Sequence, residues 1–124
     1  MSLRDKILAA KDIESEQVLV KQWDVTVEVR GLTGRQRAIL LQDVIGPKGK
    51  IDMQKLYPQL VVISTYDPED GKPVFQAGDI DAISEKSGGA LEAIAQVAMR
   101  LSGLNEGDAE KNSENTPSGS SILS

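Results

Sequence analysis

An α+β fold is predicted: a mostly helical single domain with an N-terminal β-hairpin, followed by a disordered C-terminal tail. Three observations predict it. Valines alternate with polar residues across 16–30, apolar residues recur at helical spacing in several other segments, and the composition changes abruptly after Leu104.

Residues 2–11 read as a short helix. Ser2 can cap it, with Asp5 three residues on, close to the capping-box pattern. Leu3, Ile7 and Leu8 give it one apolar side. Residues 16–30 read as a hairpin. Val25, Val27 and Val29 alternate with Thr26, Glu28 and Arg30, the period of a strand with one buried face. Val18 and Val20 repeat the pattern on the preceding strand, and Gln22-Trp23-Asp24 supplies the turn. Gly31 ends the hairpin. Thr33 and Gln36 then form a capping box. Ala38, Leu41 and Ile45, with Leu40 and Val44 beside them, make an apolar stripe, and Gly46-Pro47 ends that helix.

Asp52 is placed to cap a further helix over 53–65. Its centre, Leu60-Val61-Val62-Ile63, is apolar and partly β-branched and also fits a buried strand; helix is preferred. Asp67-Pro68-Glu69-Asp70-Gly71-Lys72-Pro73 is dense in turn formers. Val74-Phe75 is long enough only for an edge strand. Helical pattern returns from Gly78 with Ile80 and Ile83, breaks at Ser87-Gly88-Gly89, and resumes with Leu91, Ile94, Ala95, Ala98 and Leu101. Gly103 followed by Leu104 fits a C-terminal cap with the leucine folded back on the last turn. Residues 105–124 are acidic and Ser-rich, with too little apolar surface to offset their ordering entropy. The expected division is therefore a domain over 1–104 and a tail over 105–124.

Composition excludes several functions. Among 124 residues there is no cysteine and no histidine. That removes the disulfide, the thiolate nucleophile, the commonest general base and the two commonest zinc ligands. The net charge of −5, without a long basic run, argues against nucleic acid. No apolar run reaches the roughly 18 residues that span a bilayer, and the N-terminus goes straight into mixed charge, so the cytoplasm is expected. Gly46-Pro47-Lys48-Gly49-Lys50 lacks the spacing of a phosphate loop. Asp67 to Gly71 resembles the front of a calcium loop, but the twelfth position is Gly78 rather than Glu. Asp79 and Asp81 sit at a helix start, where the helix dipole favours carboxylates. No catalytic, cofactor-binding or metal-binding residue is nominated, and no enzyme activity is expected. Trp23, the single tryptophan, is a lid on the core or an aromatic anchor for a partner. Arg35 and Arg37, at a helix start, are the other candidates for partner binding.

The order of these segments resembles one family. Met1-Ser2-Leu3-Arg4-Asp5-Lys6-Ile7-Leu8-Ala9-Ala10 is similar to the opening of tail assembly chaperones of long-tailed, siphovirus-like bacteriophages. So is Trp23-Asp24-Val25-Thr26-Val27-Glu28-Val29-Arg30-Gly31-Leu32-Thr33-Gly34, where a strand runs into a capped helix. The acidic turn from Tyr66 to the following Phe75, and the helix end Leu101-Ser102-Gly103-Leu104, resemble the same family. The Gly- and Lys-rich loop over 46–50 departs from it. The resemblance covers residues 1 to about 104.

It implies a protein that coats the tape measure protein, keeps it soluble, recruits tail tube subunits and leaves before the virion is complete. It further implies a host-cytoplasmic location and a longer frameshifted form that contacts the tube subunit. Glu110-Lys111-Asn112, encodable as GAA AAA AAC, is a candidate slippery site for that form. Homo-oligomerisation is left open. The competing readings are a structural tail subunit, such as a tube or completion protein, and a small regulatory binding protein. A tube subunit would carry more strand, and a regulator a basic surface or a dimerising helix.

Overall fold

A computed structural model describes residues 2–104. The expected tail and the Glu110-Lys111-Asn112 site lie outside the described residues. In chain order the elements are α1 (Leu3–Ala9), β1 (Ser15–Val20), β2 (Val25–Arg30), α2 (Gly34–Val44), α3 (Met53–Ser64), β3 (Thr65–Tyr66), a 3-10 turn (Ala77–Asp79), α4 (Ile80–Ser84) and α5 (Gly88–Leu101). The α+β class and the hairpin agree with expectation. The sheet has a third strand, β3, beside β2, in the order β1-β2-β3.

The hairpin registers Val18 against Val27 and Val20 against Val25. Its turn places Asp24 at φ 54°, which Asp tolerates better than most residues. Val20, Val27 and Val29 are buried, while Leu19, Thr26 and the hairpin's outer polar side chains face out. One face of the sheet therefore meets the helices and the other is open. α5 lies against β1 and β2 on the inner face; α3 packs on α5, and α2 and α4 pack on α3. The core where these layers meet is aliphatic: Leu40, Leu60, Val61 and Ile94 are fully buried. Each such side chain stabilises the fold by about 1.5–3 kcal/mol.

The capping boxes form as the sequence predicts. The Asp5 amide donates to Ser2 Oγ at 3.1 Å, and the Gln36 amide donates to Thr33 Oγ1 at 3.1 Å. Their carboxylate and amide side chains return the bond to the Ser2 and Thr33 amides. At the end of α5 the Leu104 amide donates to the Met99 carbonyl at 2.7 Å and the Gly103 amide to that of Arg100 at 3.3 Å. Gly103 takes φ 72°, and Leu104 packs on the core, which is the Schellman arrangement.

Three expectations change, and a fourth, the preferred helix over 53–65, holds to within one residue. The apolar side of α1 has no cover within the chain: Leu3, Ile7 and Leu8 are 62–74% exposed. On α2 the buried face is Leu40 and Val44, whereas Ala38 and Ile45 are exposed. This helix is apolar on more than one side, so its periodicity does not select a face; contact with α3 does. Residues 53–64 are helix, and the β-branched run ends in a strand only at Thr65. Ser64 Oγ and Thr65 Oγ1 donate back to the carbonyls of Leu60 and Val61, both at 2.6 Å, which satisfies two buried hydroxyls at the transition. Finally, Val74-Phe75 is not a strand. Pro73 forms an isolated bridge to Tyr66, and the Val74 amide donates to the Thr65 carbonyl.

Candidate partner-binding clefts

The open face of the sheet carries a side-chain cluster that alternation builds. Glu28 and Arg30 are two apart on β2 and so share a face. Arg30 Nε donates to Glu28 Oε2 at 3.0 Å, and its Nη2 donates to the Gly71 carbonyl at 3.2 Å. Its guanidinium lies 3.9 Å from the centre of the Tyr66 ring, a cation–π contact. The hydrogen bond that Arg30 donates to Glu28 holds its guanidinium above its ordinary value, opposed by desolvation and aided by the charges of Glu28 and Tyr66.

Tyr66 is where two clefts meet. On the sheet side a polar cleft of about 370 Å³ is lined by Ile13, Ser15, Glu28, Arg30, Thr33, Gln36 and Tyr66. On the helix side a cleft of about 350 Å³ is lined by Val62, Ile63, Pro73, Phe75, Ala77 and Ile80, with Gln36, Gln59 and Tyr66 at its polar margin. The second is the apolar one. α3 contributes the buried Val62 and the half-buried Ile63, and the chain over 73–80 adds Phe75 and Ile80. The turn that brings this chain back is tied by its own bonds. The Asp67 amide donates to the Lys72 carbonyl, and the amides of Glu69 and Lys72 donate to Asp67 Oδ1 and Asp70 Oδ1. The acidic segment is thus a turn, as expected.

Among the described residues no three carboxylates gather as a metal site. No helix among them is long and apolar enough to cross a membrane.

None of the residues nominated from sequence lines either cleft. Trp23 is half-buried and packs against the core at the hairpin turn. Arg35 and Arg37 are exposed in the first turns of α2, at the other end of β2, about 20 Å away along a six-residue strand. Arg37 lies near Gly103 at the end of α5. Sequence reasoning missed Arg30, Tyr66, Ile63, Phe75 and Ile80 as a group. Alternation could have flagged Glu28 and Arg30 as a same-face pair; nothing local links Phe75 to Ile63.

No protein-family model matches the chain, and no curated protein matches it. Among solved structures its backbone is similar to that of the bacteriophage HK97 tail assembly chaperone. The TM-score is 0.56 and the identity 21%, over 81% of this chain and 98% of that chain. The likeness shows a shared fold.

Proposed function

We propose that this chain is a tail assembly chaperone of a long-tailed bacteriophage, which binds the tape measure protein, keeps it soluble and assists assembly of the tail tube. The observation that carries the reading is the fold shared with the HK97 tail assembly chaperone along nearly all of that protein. The modest sheet supports it over a tube subunit: among the described residues the strands are two of six residues and one of two.

The apolar cleft beside α3 suits this work. A tape measure protein held before assembly must have its apolar helical faces covered. A groove with Ile63, Phe75 and Ile80 at its walls offers apolar surface to such a helical face. The polar cleft beyond Tyr66 then contacts the exposed side of the same helix. In this reading the protein works in the host cytoplasm and is absent from the mature virion. A longer frameshifted form would link it to the tube subunit.

Co-expression tests the reading. A long, helix-rich tape measure protein should be soluble with this chain and insoluble without it. Phe75→Ser should weaken the rescue while leaving the fold, read by circular dichroism, intact. Equal solubility with and without the chain overturns the proposal.

A further inference from the structure

The loop between α2 and α3 is closed by its own backbone. The Gly46 amide donates to the Lys50 carbonyl at 2.7 Å, the Gly49 amide to that of Gly46 at 2.9 Å, and the Asp52 amide to that of Val44 at 2.8 Å. Ile45 and Ile51 bridge antiparallel between the first and last of these bonds. They are thus a pair that exchanges no hydrogen bond, the kind in which facing side chains come closest and share one side. The loop is a fixed platform, and a partner has little chain freedom to remove from it.

Its surface is apolar and basic together. Ile45 is 45%, Ile51 42% and Met53 38% exposed. Lys48, Lys50 and Lys55 are exposed, and none has an ion pair among the described residues. Two carboxylates are near in sequence, Asp43 and Asp52, and Asp52 Oδ1 accepts the Gln54 amide at the start of α3. Lysines therefore outnumber carboxylates over 43–55, in a chain whose net charge is −5. Lysines just past α2 also complement the dipole at its C-terminal end. That accounts for their charge but not for two isoleucines held side by side in water. An apolar pair rimmed by charges of one sign marks an interaction surface.

We propose that this loop docks an acidic, amphipathic helix of another protein, its apolar face on Ile45, Ile51 and Met53 and its carboxylates toward Lys48, Lys50 and Lys55. Charge selects this occupant. A chain with surplus acid repels acidic partners except where lysines gather. The same surplus opposes an anionic bilayer. One bridge is too short an edge for a strand to pair with, so recognition falls to side chains, as when a helix lies on an apolar surface. The site is separate from the apolar cleft: Met53 and Ile63 lie near opposite ends of α3, about 15 Å apart at the rise of an α-helix. The inference stands without the chaperone reading.

Titration of the isotope-labelled full chain with a designed helical peptide, leucines on one face and glutamates on the other, tests it. Amide shifts should cluster at residues 45–55. The same peptide with lysines in place of glutamates should bind several-fold more weakly, and added salt should weaken only the glutamate form. Lys48→Glu combined with Lys50→Glu should weaken binding several-fold, and so should Ile51→Ser. All three side chains are exposed, and circular dichroism checks that the variants fold. Shifts centred elsewhere overturn the proposal. So do a lysine peptide that binds as tightly, or variants that bind like wild type. Vesicles of phosphatidylglycerol that shift residues 45–55 more strongly than the peptide assign the loop to a membrane surface and overturn it too.

Discussion

Gly31 sits at the end of the hairpin, where an added Cβ would lie 2.7 Å from the Leu101 carbonyl oxygen. The next residue, Leu32, donates its amide to Ser102 Oγ at 2.9 Å. These two contacts, one to the Leu101 backbone and one to the Ser102 side chain, bring the first and last thirds of the domain together. Gly31→Ala is therefore expected to cost about 1–3 kcal/mol, the range for overpacking a tight site. Urea unfolding would read it as a lowered midpoint with an unchanged slope. An unchanged midpoint would mean that the end of α5 moves aside freely. Arg30 acts differently. Its ionisation is raised by Glu28, so its contribution is fully present below the ordinary guanidinium value and is lost only as pH rises through the raised one. Acidification should thus not discharge Arg30, and its contact with Tyr66 should survive wherever Glu28 remains ionised. A Tyr66 fluorescence signal sensitive to Arg30→Gln would report that contact.

At the scale of elements, α1 and α2 carry the same capping device with opposite dependence on the rest of the molecule. α1 has seven residues and buries none of them. Isolated helices shorter than about 12–15 residues are marginal in water, so α1 should show little protection against amide exchange. Ile7→Ser is expected to change the unfolding free energy by no more than about 0.5 kcal/mol. A loss well above that would reveal a cover for α1 in solution. α2 buries Leu40 and Val44 against α3. Its cap is coupled to the core, and Thr33→Ala should cost about 1 kcal/mol, measured by thermal or urea unfolding.

For the whole molecule, stability rests on the aliphatic seam between the sheet, α3 and α5. Leu60 and Ile94 are fully buried there. Leu60→Ala should cost about 2–5 kcal/mol, since the fixed sheet and helices on either side limit collapse into the cavity. All the buried hydrophobic residues described lie between Val20 and Met99, and Leu104 completes the last helix cap. Ending the chain after Leu104 is accordingly expected to leave the urea midpoint unchanged. A drop would assign a packing role to residues 105–124.

The amino-acid sequence by itself determined the local structure. The hairpin follows from valine alternation, the helix starts from Ser2 and Thr33 with their reciprocal partners, and the end of α5 from Gly103-Leu104. Each of these depends on residues within a few positions of one another, so pattern and side-chain chemistry suffice. It also carried the family resemblance through the order of those segments. Tertiary structure alone decided the rest. Which side of α2 is buried depended on α3, because both Leu40 and Ile39 are apolar and only one faces a neighbour. The third strand depended on the hairpin offering an edge to Thr65 and Tyr66. The clefts on either side of Tyr66 join residues from β2, α2, α3 and the chain over 73–80. Such a surface has no period in the sequence, since its members meet only after the helices have packed.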